Sequence, residues 1–170
     1  IAALTLRGFP TTNGSLAIGG LDHSVRVTRD AAGIAWIEGE TPPDLFVAQG
    51  YVHAQERMWQ MEVWRHISSG RLSELFGAST LEEDRFIRTL GWRESAERDL
   101  AALSPDARAA VDAYAVGVND WIADHQGSLS LPFVVTGLKA GLGGGLGGYA
   151  LEPWTAVDTL AWQKVQAWQL

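Results

Sequence analysis

The chain has 170 residues, 46% of them hydrophobic and 19% charged, and 13 Lys and Arg against 20 Asp and Glu leave a net charge of −7. That length suits about one domain with its own core, and the composition argues against disorder. A pI near 5.0 with no Lys/Arg cluster argues against a nucleic-acid partner bound through phosphates, no uncharged stretch approaches the ~20 apolar residues of a membrane span, and zero cysteines exclude disulfides, thiolate nucleophiles and Cys-based zinc sites.

In chain order, residues 1–21 alternate short apolar runs with turns and read as strand-like but poorly periodic. Residues 24–29 and 34–37, separated by Asp30-Ala-Ala-Gly33, predict a β-hairpin. A long helix is expected from Asp44, taken as the N-cap after Pro42-Pro43, to Gly70 as its C-terminal stop, with Val47, Tyr51, Ala54, Met58 and Met61 on one face. A short helix over 71–76 ends at Gly77. Thr80 and Glu83 fit a capping box that opens one helix to about Leu103, and Ser104-Pro105 caps the next, which carries Val111, Tyr114, Val118, Trp121 and Ile122 on its apolar stripe. After Gln126 the pattern dissolves into a glycine-rich loop, and a last helix from about Val157 is apolar on nearly every side. The resulting division is 1–40 strands and hairpin, 41–126 a helical layer, 127–153 a glycine-rich loop and 154–170 a C-terminal helix.

Two motifs invite chemistry and are better explained without it. Gly143-x-Gly145-x-x-Gly148 spells a dinucleotide fingerprint, but Pro153 stands where the phosphate-binding helix should open, and a glycine-rich run matches by chance. His53 and Glu56 lie at i, i+3, yet Arg57 occupies the position a second zinc ligand needs. Glu56 and Arg57 are expected instead in a hydrogen-bond network that fixes how helices and strands meet. No local Ser/His/Asp constellation is visible, and no stretch reads as a signal peptide.

Eight tryptophans are the main compositional oddity. Core packing is expected for Trp59, Trp64 and Trp121. Trp162 and Trp168 are six apart, on different helix faces, so one of them is assigned to an interface or ligand pocket. The first residue is Ile1, and the helix-like run ending at Leu170 has no stop signal. These features fit either trimmed ends or a chain released from a longer precursor by proteolysis.

The segment Asp44-Leu-Phe-Val-Ala-Gln-Gly-Tyr-Val-His-Ala-Gln-Glu-Arg-Met-Trp-Gln-Met-Glu62 resembles the most recognisable stretch of the penicillin acylase family. Other pieces follow in the family's order: Val25-Arg-Val-Thr-Arg-Asp30 with Gly33-Ile34, Gly70-Arg-Leu-Ser-Glu-Leu-Phe-Gly77, Asp84-Arg-Phe-Ile-Arg88 with Leu90-Gly91, Tyr114-Ala-Val-Gly-Val-Asn119, and Glu152-Pro-Trp-Thr155 with Asp158. In particular the chain is similar to that family's small α subunit. Three departures stand out: Ala35-Trp36 replaces the usual Pro-His after the hairpin glycine, Glu56 replaces Asp, and the stretch after Leu131-Pro132 lacks the usual acidic residue.

The resemblance implies an α+β fold class: a mainly helical α chain that contributes strands to a four-layer αββα N-terminal nucleophile hydrolase fold, completed by a β chain of the same precursor. It implies hydrolysis of N-acyl amides (penicillins, acyl homoserine lactones or related amines) through an acyl-enzyme on the β chain's N-terminal Ser. No catalytic residue then lies in this chain. The acyl pocket is expected at Ala167, Leu170 and Gln163, and the small Ala167 suggests room for aliphatic or longer acyl chains. No cofactor is required on this reading, and a structural calcium is left mostly to the partner chain because a family calcium ligand falls beyond Leu170. Periplasmic or secreted localisation is also implied. The rival expectations are a non-catalytic helical protein-binding domain and, less favoured, a nucleotide-binding enzyme.

Overall fold

The computed structural model describes residues 9–140, 150–168 and 170. Strand β1 (Arg26–Arg29) pairs antiparallel with β2 (Ala35–Glu38), with Val27 opposite Ile37 and Thr28 opposite Trp36. Asp30 shapes the connection by accepting from the Ala32 and Ile34 amides, both at 2.9 Å, and Gly33 takes the positive φ of 81°. The alternation expected of a hairpin is obeyed: Val27, Arg29, Ala35 and Ile37 are half-buried, and Arg26, Thr28, Trp36 and Glu38 are exposed. Residues 9–21, expected to be strand-like, form no strand.

Helix α1 (Pro42–Ser69) is capped by Thr41, not by Asp44. The two prolines fill its first turn, where missing N–H groups cost nothing. Asp44 lies three residues further in and is buried, accepting from the Thr41 hydroxyl at 2.6 Å and the Asp22 amide at 2.8 Å. Gly70 ends the helix as expected, with the left-handed dihedrals φ 61°, ψ 48°, and the Arg71 amide returns to the His66 carbonyl at 2.8 Å. Within the helix, Arg57 leaves the helical region at φ −138°, ψ 20° and kinks it.

Helix α2 (Leu72–Phe76) and a single 3₁₀ turn (Ala78–Thr80) lead to α3 (Leu81–Leu90) and α4 (Trp92–Ala102). Here one expected helix is two. Gly91 adopts φ 65°, ψ 36° and closes α3 before α4 begins. The expected capping box at Thr80 is also absent, because the Thr80 hydroxyl turns back to the Gly77 carbonyl at 3.2 Å. Helix α5 (Pro105–His125) begins as read, with the Ser104 hydroxyl accepting from the Ala107 amide. Helix α6 (Leu131–Ala140) occupies sequence expected to be loop. Pro132 suits a first turn, and Phe133 and Val134 are buried by the core. The fingerprint glycines 143–148 lie outside the described residues. Helix α7 (Ala156–Trp168) closes the order.

The core sits where α1 crosses α5, with Tyr51, Ala54, Met58 and Met61 against Ala115, Val118, Trp121 and Ile122. Glycines set the separation. A Cβ on Gly50 would collide with the Tyr114 carbonyl oxygen, and one on Gly117 with the Val47 carbonyl oxygen, so each helix offers a notch to the other's backbone. A smaller cluster joins α4 to α7 through Ala96, Leu160 and Ala161. Trp121 and Trp59 serve the core as expected, but Trp64 belongs to neither cluster.

Candidate acyl-pocket helix and its anchorage

The segment before α7 is held by side chains from α1 and α5, by Gln126 just past α5 and by Arg71 at the entry to α2. Arg65, 2% exposed, reaches from α1 to donate to the carbonyls of Glu152 at 3.0 Å and Pro153 at 3.3 Å. Its guanidinium also pairs with Glu62 and lies 5.6 Å from the Trp154 ring centre. From α5, Asn119 donates to the Trp154 carbonyl at 2.8 Å and accepts from the Trp154 amide at 2.6 Å, and Gln126, just past the end of α5, makes the same pair of hydrogen bonds to Leu151. Arg71 grips the Glu152 carboxylate at 2.6 and 3.0 Å, and these bonds hold that carboxyl down to about 2. Glu74 takes Arg71's other bonds at 2.7 to 3.1 Å.

The helix then opens on a reciprocal cap. Asp158 accepts from the Thr155 amide at 2.8 Å and the Thr155 hydroxyl at 2.7 Å, and its other oxygen takes the Arg93 guanidinium at 2.9 Å. The Trp154 indole N–H donates to Thr159 at 3.0 Å, which ties the preceding segment to the first turn. A similar buried carboxylate, Asp84, orders the start of α2 by accepting from the Leu72 and Ser73 amides at 2.6 and 2.8 Å.

Along α7, Leu160, Ala161 and Val165 face inward and Gln163, Ala167 and Trp168 face out. A cavity of about 550 Å3 runs between α1, α5 and α7. Its wall includes the Trp64 and Trp162 rings, stacked at 4.1 Å and 5° apart, with Met61 and Val111. At its mouth, Tyr114 Oη lies 3.1 Å from His53 Nδ1. Desolvation lowers the His53 pKa and raises the Tyr114 phenol to about 12, so both are neutral near pH 7 and neither is poised as a charged catalyst.

Of the three residues expected at the acyl pocket, Gln163 lines this cavity. Both Ala167 and Leu170 are exposed beyond it: Ala167 lies one turn along α7 on the side of Gln163, and Leu170 lies past the end of the helix. Trp162 and Trp168 diverge as their spacing requires: Trp162 stacks on Trp64, while Trp168, 62% exposed, leans on Phe86 and Trp92. The expected Glu56 and Arg57 network is half present. Glu56 pairs with Arg29 of the hairpin at 2.7 Å, but Arg57 is exposed and, among the described residues, donates to its near neighbour Gln60. Among the described residues no three His, Asp or Glu side chains converge to hold a metal ion, and no helix is long and apolar enough to cross a membrane.

Sequence reasoning missed Arg65, Asn119, Asp84 and Asp158 as the anchors. The available signal was charge on a buried face: Glu62 and Arg65, at i, i+3, fall beside Met58 and Met61, where an unpaired charge would be costly.

Residues 24–170 match the family model described as penicillin amidase. Penicillin acylase 2 proenzyme of Pseudomonas sp. (strain SE83) is 37% identical over 152 residues, covering 89% of this chain and 18% of that protein. Acyl-homoserine lactone acylase QuiP of Pseudomonas aeruginosa is 37% identical over 130 residues, covering 76% and 15%. The chain thus spans less than a fifth of these curated relatives. Among solved structures, a thermostable penicillin G acylase from Alcaligenes faecalis superposes with a TM-score of 0.71 at 25% identity, over 86% of this chain and 74% of that one. With its family model matched over most of its length and its helices arranged as in a solved acylase, this chain belongs to the penicillin amidase family.

Proposed function

We propose that this chain is the small α subunit of a heterodimeric acylase that hydrolyses the amide bond of N-acyl compounds. Penicillins, acyl homoserine lactones and related N-acyl amines share that scissile bond. The observation that carries this reading is the 37% identity to an acylase proenzyme over 89% of the chain, of which this chain accounts for 18%.

The nucleophile belongs to the partner β chain as its N-terminal Ser. An α-amino group has a pKa near ~7.7–8.0, so it serves as the base for its own residue's hydroxyl at neutral pH. The Ser oxygen attacks the amide carbonyl, and backbone and side-chain donors of the β chain hold the oxyanion. The C–N bond then breaks, the proton passes to the leaving amine, and water cleaves the acyl-enzyme to release the acid. No residue of this chain moves a proton in that sequence. The exposed hairpin, with Trp36 59% exposed, supplies strands that the β chain extends into the four-layer αββα core.

This chain's contribution is shape. Gln163 and Ala167 on α7, with Leu170 just past its end, line the acyl site, and the small Ala167 leaves room for an aliphatic or longer chain. The subunit needs no cofactor, a structural calcium would be held mostly by the β chain, and the enzyme works in the periplasm or outside the cell. Native mass spectrometry tests the pairing: a co-purifying chain of about three times this chain's 18.4 kDa, beginning with Ser, is the expected result, and a lone monomer would refute it. Hydrolysis of hexanoyl to dodecanoyl amides should exceed that of phenylacetyl amides. A strong phenylacetyl preference would refute the assignment of substrate class.

A further inference from the structure

Pocket shape depends on where α7 lies, and the base of α7 is fixed by the bonds to residues 152–154. Resting on the acylase reading, we propose that Arg65 is a positioning residue for acyl-chain selectivity, acting through Trp154 on the far end of α7. Arg65 and Asn119 hold the 152–154 backbone from two different helices, α1 and α5. Trp154 passes the constraint on through its indole bond to Thr159. A planar guanidinium serves two carbonyls, a carboxylate and a ring face at once, which a single ammonium cannot reproduce.

The helix turns a small change at this anchor into a large one at the pocket. From Thr155 to Ala167 is 12 residues, about 18 Å of helix, so a tilt of about 5° at the base moves Ala167 by roughly 1.5 Å. Displacements near 1 Å are enough to change how a substrate seats. The outer end is held more lightly than the base: Lys164 pairs with Asp99, Trp168 touches Phe86 and Trp92 while 62% exposed, and Ala167 is exposed.

The test uses the two-chain protein with Arg65→Lys and, separately, Asn119→Ser, which loosens the same clamp without disturbing a buried charge. Rates for hexanoyl and dodecanoyl amides are referred to active sites titrated with a serine-directed sulfonyl fluoride. Both variants should change the dodecanoyl-to-hexanoyl ratio of kcat/KM at least fivefold, mainly through the KM of the longer chain, with hexanoyl kcat within twofold. A ratio within twofold of the parent in both variants overturns the proposal, and so does an equal loss at every chain length. If Arg65→Lys fails to accumulate, Asn119→Ser decides alone. A parent enzyme that hydrolyses neither amide and titrates with no sulfonyl fluoride would sink the acylase reading instead, so the two failures are separate.

Discussion

The α1–α5 crossing and the outer end of α7 sit on the same chain and are built on opposite terms. At the crossing, Gly50 and Gly117 let each helix rest on the other's backbone, and Val118 and Ala54 are sealed from solvent. At the outer end of α7, Gln163, Ala167 and Trp168 face outward, although the inner side of the helix buries Leu160, Ala161 and Val165. A side chain that packs only in the presence of something else is a different kind of apolar residue from one that packs at home. On the proposed function, the contrast separates what this chain does for its own stability from what it would offer to a partner and a substrate.

The strongest perturbation should come where the two regions are joined. Arg65→Met leaves Glu62 buried at the centre of the clamp without its guanidinium. Loss of one partner of a buried pair costs about 3–5 kcal/mol, to be read as a lowered denaturation midpoint in the two-chain protein. A cost under 1 kcal/mol would mean that α7 does not depend on this anchor. Next in size is Gly117→Ala, whose Cβ meets the Val47 carbonyl. Forcing the crossing apart should cost about 1–3 kcal/mol, seen as faster amide exchange in both α1 and α5, and unchanged protection would contradict the close approach.

Acid should act on the anchors before the crossing. The Glu152 carboxyl is lowered from 4.5 to about 2, chiefly by Arg71, and Asp44 from 3.8 to about 2, chiefly by the Thr41 hydroxyl. Groups whose folded pKa is depressed stabilise the fold above their unfolded values and lose that contribution as pH falls towards the folded ones. Stability should therefore decline between about pH 4.5 and pH 2, and Glu152→Gln should flatten the upper part of that decline in a pH series of thermal midpoints. The smallest effect belongs to the exposed end: Trp168→Ser should leave α1 and α5 exchange protection within about 0.5 kcal/mol. A larger loss would show that the end of α7 supports the crossing after all.

The same contrast marks what could be read in the sequence. Helices α1 and α5 were legible because local rules agree there: prolines in the first turn, Gly70 past the end, and an apolar stripe at helical spacing. Gly91 was not, since a lone glycine inside a helical pattern can be tolerated and only its φ of 65° shows that it ends α3. Helix α6 was hidden by neighbouring glycines that made 131–140 read as loop. Of the site, the resemblance pointed to Gln163, Ala167 and Leu170. The clamp behind them was out of reach, because Arg65 finds its carbonyls 87 and 88 residues along the chain and no local period connects them. The buried Glu62 and Arg65 on an otherwise apolar face were the one visible clue.

The account divides the labour so that the partner chain performs the chemistry and this chain sets which acyl group fits. The acyl-length profile of Ala167→Phe in the two-chain enzyme tests that division most directly. Dodecanoyl amide turnover should fall at least tenfold in kcat/KM while kcat for the shortest acyl group accepted stays within twofold. A profile unchanged from the parent at every chain length, or one that collapses uniformly, would contradict it.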